Sequence, residues 1–140
     1  MENNYENSAE ISHILGVDFG QAKVGLALAD SETKIAFAIE TLDSDRKIFD
    51  KIGDIIVEKA VTVVVIGKPK QIEQYNSMSV SKFAGELQEY FPLVQIEFED
   101  EMFSTKMAES NLREKGAKKI KNLDNQEAAK IILQSWLDRQ

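Results

Sequence analysis

"HILGVDFGQAKVGLALAD", residues 13–30, is the stretch whose reading decides the fold. Two runs rich in Val, Leu and Ile flank a short glycine-bearing turn, which is the pattern of two adjacent strands. Asp18 stands inside the first run. A carboxylate buried without a partner is costly. Either the turn amides of "FGQA" hold it, or it faces a polar cleft. "DSETK" (30–34) follows as a polar turn. "KIAFAIETL" (34–42) then alternates Ile35, Phe37 and Ile39 on one face of a third strand. These three strands are expected to form an antiparallel meander.

The period then changes. In "DSDRKIFDKIGDIIVEKA" (43–60), Ile48, Ile52, Ile55 and Ile56 recur at helical spacing, with Asp43 or Ser44 as the expected cap. "VTVVVIG" (61–67) is a continuous β-branched run, the mark of a strand covered on both faces. "KPKQIEQYNSMS" (68–79) reads as a polar loop. "VSKFAGELQEYF" (80–91) reads as a helix with Val80, Phe83, Ala84 and Leu87 inward. "LVQIEFED" (93–100) reads as a strand with Val94, Ile96 and Phe98 on one side. A helix over 104–116 closing at Gly116, a basic loop over 117–122 and a last helix over 123–140 complete the chain. The order β-β-β-α-β-α-β-α-α predicts an α/β fold: a mixed five-stranded sheet, three antiparallel strands and then parallel crossovers, flanked by helices.

Residues 1–12 are polar and acidic and are expected to be a disordered tail, leaving 13–140 as a single domain. The chain has no cysteine, which excludes a disulfide framework and a thiolate metal site. No apolar run approaches the roughly 20 residues of a membrane-spanning helix, and the N-terminus lacks the features of a secretory signal. No membrane association and a cytoplasmic location are the expectation. The formal net charge of −7 argues against general nucleic-acid binding but leaves room for a local basic patch.

Four segments together resemble the YqgF/RuvX family of the ribonuclease H-like superfamily. "GVDFGQAKVGLALAD" is similar to its first motif, "VVVIGKP" to its hydrophobic-G-x-P segment, "EDEMFSTKMAESNL" to its D-E-R segment and "AAKIILQSWLD" to its C-terminal helix. The family is described as Holliday-junction resolvases and as nucleases maturing the 5′ end of small-subunit ribosomal RNA precursors. The resemblance implies a ribonuclease H-like fold and a metal-dependent phosphodiesterase acting on RNA or branched DNA, as a monomer or weak homodimer. It implies Mg²⁺ or Mn²⁺ as cofactor. Two such ions about 4 Å apart can activate water and stabilise a leaving oxygen, and they require converging oxygen ligands.

Carried over residue by residue, the resemblance makes Asp18 and Glu101 carboxylate ligands. The family's third acid, on the last helix, falls at Asn125, whose amide oxygen is a neutral donor. Asp124 is the neighbouring carboxylate that could serve in its place. Alternative roles stand beside these. Asp100, Glu101 and Ser104 also suit the start of a helix. Asp124 and Glu127 fit a D-x-x-E arrangement with Asp124 as N-cap. Asn125, Ala128, Ala129, Ile132 and Trp136 share one helical face, expected inward.

For contact with nucleic acid the candidates are Gly20, through close backbone approach, Lys23 and Lys68, and the basic stretch carrying Lys118, Lys119 and Lys121. That stretch, with Arg113 and Lys115, equally suits a solvated loop. His13 is not a candidate general base. Met102 replaces the arginine of the D-E-R segment, and the D-G pair usual after G-x-P is missing. With Asn125, these departures define the alternative: a family member with an impaired metal site, acting as a nucleic-acid-binding or regulatory module. A nucleotide-binding lobe of the actin-like class shares the D-x-G turn, but lacks room here for its second lobe.

Overall fold

The computed structural model of the protein describes residues 11–68, 74–100 and 124–140. Five strands form one sheet: β1 (His13–Phe19), β2 (Lys23–Asp30), β3 (Phe37–Asp43), β4 (Val61–Lys68) and β5 (Gln95–Asp100). Their spatial order is β3-β2-β1-β4-β5. β1, β2 and β3 pair antiparallel, whereas β4 and β5 run parallel to β1. The helices are α1 (Ile48–Glu58), α2 (Gln74–Tyr90) and α3 (Asn125–Asp138). Among the described residues, no helix is long and apolar enough to cross a membrane.

Alternation along the strands sends side chains to two different layers. On one face Leu15, Val17, Val24, Leu26, Val64 and Ile66 pack against Ile48, Ile52 and Ile56 of α1 and Val80, Phe83, Ala84 and Leu87 of α2. Each such aliphatic side chain, fully buried, contributes roughly 1.5–3 kcal/mol, so this layer is the main source of stability. On the other face the residues are smaller: Ile14, Ala27, Ala29 and Val65 meet Ala129, Ile132, Leu133 and Leu137 of α3. A β-carbon added to Gly16 would lie 2.7 Å from Leu133 Cβ. α3 therefore lies against the sheet at a distance that only small residues permit.

Local chemistry sets the junctions. Asp30 Oδ1 accepts from the amides of Glu32 and Thr33 at 2.9 and 2.6 Å, which closes the turn after β2. The Thr33 amide, first among these contacts, holds the exposed Asp30 carboxyl below its usual range. After α1, the amide of Lys59 donates to Ile55 O and that of Ala60 to Val57 O, with Ala60 at φ 51°. That is a left-handed helix stop without the usual glycine. His13 sits at the start of β1, its Nδ1 2.7 Å from Lys59 O.

Several expectations are corrected. The N-cap of α1 is Lys47, not Asp43 or Ser44, and Asp45 Oδ1 accepts from the Lys47 amide at 2.9 Å. α2 begins at Gln74, inside the stretch expected as loop, and ends at Tyr90. β3 begins at Phe37, and the Ile35, Phe37, Ile39 row is exposed, Phe37 at 63%. β3 is the edge strand, and among the described residues no helix buries that row. On β5, Val94 just before the strand is buried, but Phe98 is 41% exposed, and the ammonium of Lys68 lies 5.4 Å from its ring centroid. On α3 the buried stripe is Ala129, Ile132, Leu133 and Leu137; Asn125, Ala128 and Trp136 are half-buried. Residues 1–10 of the expected tail over 1–12, and the helix and basic loop expected over 104–122, lie outside the described residues.

Candidate active site

The carboxyl ends of β1, β4 and β5 point the same way, and in open α/β sheets ligands bind beyond such ends. Asp18 lies at the end of β1 and is half-buried. Its partner across the antiparallel pair is Gly25. Directly opposed residues share a face. A β-carbon at Gly25 would fall 2.0 Å from the carbonyl oxygen of Asn125 and 2.7 Å from the amide of Gln126. Asp18 thus projects on the face where the first turn of α3 is seated. Unsatisfied amides and the helix dipole make a helix N-terminus favourable to negative charge. The backbone of α3 that closes on this face is the Asn125 carbonyl and the Gln126 amide over Gly25, so the helix start stands beside the strand end that carries Asp18, a setting in which a phosphate can be bound.

A cap at its start and three anchors to the sheet fix α3 there. Asp124 is the N-cap: its side chain accepts from the Glu127 amide at 2.9 Å. That is the cap expected from D-x-x-E. Gln126 is bonded to Thr41 of β3 at 3.1 Å. Gln134 accepts from the Ala36 amide at 2.9 Å and donates to Lys34 O at 3.2 Å.

The third anchor was not foreseen from the sequence. Glu99 is fully buried on β5, where Ser135 Oγ donates to it at 2.6 Å and Arg139 Nη2 at 2.5 Å. Both partners come from α3 or its C-cap. Gly67 pairs with Glu99, and Ile66 with Val17, so Asp18, Gly67 and Glu99 succeed one another across three strands. Of these two acids, Glu99 is spent on a structural tie. No local pattern in the sequence marked it, since in the alternation of β5 it stands on the side opposite Val94, Ile96 and Phe98.

The cationic candidates stand differently. Lys23 Nζ donates to Asp43 Oδ1 at 2.7 Å, an exposed pair. That hydrogen bond, then the charge of Lys23, holds the Asp43 carboxyl below its usual range. Lys68 ends β4 beside Asp100 and over Phe98. The Gly20 amide donates to Lys23 O at 2.9 Å, and a β-carbon at Gly20 would lie 2.8 Å from that oxygen. Its lack of a side chain is therefore required by the β1–β2 turn itself. Glu101, Met102, Lys118, Lys119 and Lys121 lie outside the described residues. Among the described residues no three acidic or histidine side chains converge as a metal site.

The strand order and the antiparallel meander leading into parallel crossovers define a ribonuclease H-like fold. The Holliday-junction complex of RuvC from T. thermophilus superposes with a TM-score of 0.63, at 14% identity, covering 91% of this chain and 94% of that one. The fowlpox virus resolvase bound to junction DNA superposes at 0.59, with 15% identity and coverages of 91% and 97%. At these identities the likeness is one of fold.

The model of the RuvX family, described as Holliday junction resolvase, matches residues 12–139. A protein of Maridesulfovibrio salexigens, provisionally named a pre-16S rRNA nuclease, is 36% identical over 134 residues, covering 90% of this chain and 98% of the relative. One of Corynebacterium diphtheriae with the same name is 33% identical over 151 residues, covering 95% and 88%. The chain belongs to the RuvX family, and its class of activity is that of a nuclease.

Proposed function

We propose that this chain is a metal-dependent nuclease whose substrate is a structured ribosomal RNA precursor. The observation that carries this reading is Asp18, half-buried at the end of β1 beneath the first turn of α3. The relatives at 33–36% identity, named for pre-16S rRNA, favour an RNA substrate, and the family's description as Holliday junction resolvase makes branched DNA the second substrate to test. A soluble, cytoplasmic enzyme is consistent with that substrate.

The donors suit a hard cation. Asp18 and the amide oxygen of Asn125 offer oxygen ligands from a strand end and a helix start, and Glu101 follows directly on β5 in the sequence. Mg²⁺ or Mn²⁺ held there would supply Lewis-acid stabilisation of charge developing on the phosphoryl and leaving oxygens. The chain's own part is to fix Asp18 through the β1–β2 register, to direct the amides of α3 at an incoming phosphate, and to hold both through the Glu99 tie. Asp124 serves as the helix cap, with its oxygen committed to Glu127.

A second reading is supported by Asn125. A neutral amide at the first residue of α3 would hold a second ion less well than a carboxylate, which favours an impaired, binding-only member. Cleavage of a 5′-extended small-subunit precursor RNA and of a four-way DNA junction, with Mg²⁺ or Mn²⁺, tests both. Precursor cleavage by the wild type is expected. No cleavage by the wild type, with activity gained in Asn125→Asp, would establish the second reading. Inactivity of both proteins with either ion would overturn the first.

A further inference from the structure

Thr41 of β3 faces Gly25 of β2, and Gly25 faces Asp18 of β1, so the three stand in one row across the sheet. This row depends on an irregularity. Between Ala27–Ala38 and Leu26–Glu40 the pairing gains one residue on β3, Ile39. Continued without that extra residue, the pairing would set Glu40 against Gly25 and turn Thr41 to the opposite face. Bulges of this kind re-aim side chains and recur beside active sites. Here the bulge delivers a hydroxyl to the face on which α3 lies: Thr41 Oγ1 donates to Gln126 Oε1 at 3.1 Å. The strand itself does not call for that hydroxyl, since valine suits a strand as well as threonine does.

We propose that Thr41 is a positioning residue for cleavage: through Gln126 it sets the rotation of the first turn of α3 that brings Asn125 to the strand end carrying Asp18. The inference rests on the nuclease reading and deepens it. Successive side chains on a helix diverge by about 100°. Gln126 is held toward β3, on one side of β2. The side chain of Asn125 then reaches the other side, where its Nδ2 lies 3.9 Å from the place a β-carbon on Gly20 would take, just past β1. Between the two, the carbonyl of Asn125 and the amide of Gln126 close on Gly25. The Asp124 cap is internal to the helix and leaves that rotation open. Gln134, Ser135 and Arg139 make their ties about two turns or more further along. Helix ends fray unless held, so the Thr41 hydroxyl decides where the first turn points.

Thr41→Val and Thr41→Ser test this in the full chain, by cleavage of the 5′-extended precursor RNA and by the NMR resonances of the Asn125 side-chain amide. Thr41→Val is expected to lower kcat about 10-fold, because rate depends steeply on exact placement. KM should stay within about 2-fold of wild type, and the Asn125 resonances should be displaced. Its circular dichroism melt should stay close to wild type, since a single part-buried hydrogen bond is lost. Thr41→Ser should restore both kcat and the resonances. Gln126→Leu, which removes the acceptor, should repeat the Thr41→Val result and takes its place if Thr41→Val does not fold. Wild-type kcat, or unmoved Asn125 resonances, in Thr41→Val overturns the proposal. So does a loss that Thr41→Ser fails to restore, or one carried wholly by KM, which would assign Thr41 to gripping the strand. If the wild type cleaves neither the precursor RNA nor junction DNA, the nuclease reading fails by itself, and the resonances still decide whether Thr41 sets the place of Asn125.

Discussion

The two faces of the sheet are built on opposite principles. The face under α1 and α2 is filled by large aliphatic and aromatic side chains that interdigitate. The face under α3 is floored by glycine and alanine and fastened by polar ties at its margins: Thr41 with Gln126, Ala36 with Gln134, and Glu99 with Ser135 and Arg139. The first arrangement maximises buried apolar area. The second brings backbone to backbone, so that the amides of a helix start lie over a strand that ends in a carboxylate. On the proposed function, stability and chemistry fall to different layers of one sheet.

Substitutions can separate the two layers. Ile52→Ala, in the large-residue layer, should cost about 2–5 kcal/mol, read by urea denaturation, with cleavage by the remaining folded protein unchanged. Gly25→Ala, in the small-residue layer, should cost less, about 1–3 kcal/mol, yet abolish most activity, because its β-carbon would meet the Asn125 carbonyl at 2.0 Å and displace the start of α3. If the folded Gly25→Ala protein cleaved normally, the division between the layers would fail.

At the rim of both layers, Ala60→Gly should stabilise by about 1 kcal/mol, since Ala60 holds a left-handed conformation at φ 51°. A higher melting temperature with unchanged kinetics is the expected signature. The smallest effect concerns the exposed Lys23–Asp43 pair. The folded-state pKa of Asp43 is depressed, so the pair's contribution is present above the ordinary carboxylate pKa and fades as pH falls through the depressed one. Lys23→Ala should return the Asp43 titration upward in an NMR pH series, with little change in the melt at neutral pH. If Lys23 also grips a phosphate backbone, the same variant weakens RNA binding and reduces its salt dependence.

The order of the described elements was legible because period and composition change sharply at their boundaries. The alternating runs of 13–30, the β-branched run of 61–67 and the Asp124–Glu127 cap each carry a local signal. Less legible were the places where tertiary cover decides. Ile35, Phe37 and Ile39 alternate like a core strand, but among the described residues no layer covers them on the edge strand. Glu97 and Glu99 read as the solvent side of β5, whereas α3 covers that side and buries Glu99. Its partners lie 36 and 40 residues away, beyond any local pattern. Asp18 was conspicuous as an acid within a strand. That a helix start rests on its cross-strand glycine required the register.

The central claim is that Asp18, under the first turn of α3, is the acid on which cleavage depends. The most direct measurement compares wild type and Asp18→Asn on the 5′-extended precursor RNA with saturating Mg²⁺, alongside circular dichroism of both. The predicted result is a loss of at least about 100-fold in cleavage rate, as expected when a charge that supports several kcal/mol of transition-state stabilisation is removed, with the folded state retained. Equal cleavage by the two proteins would contradict the account.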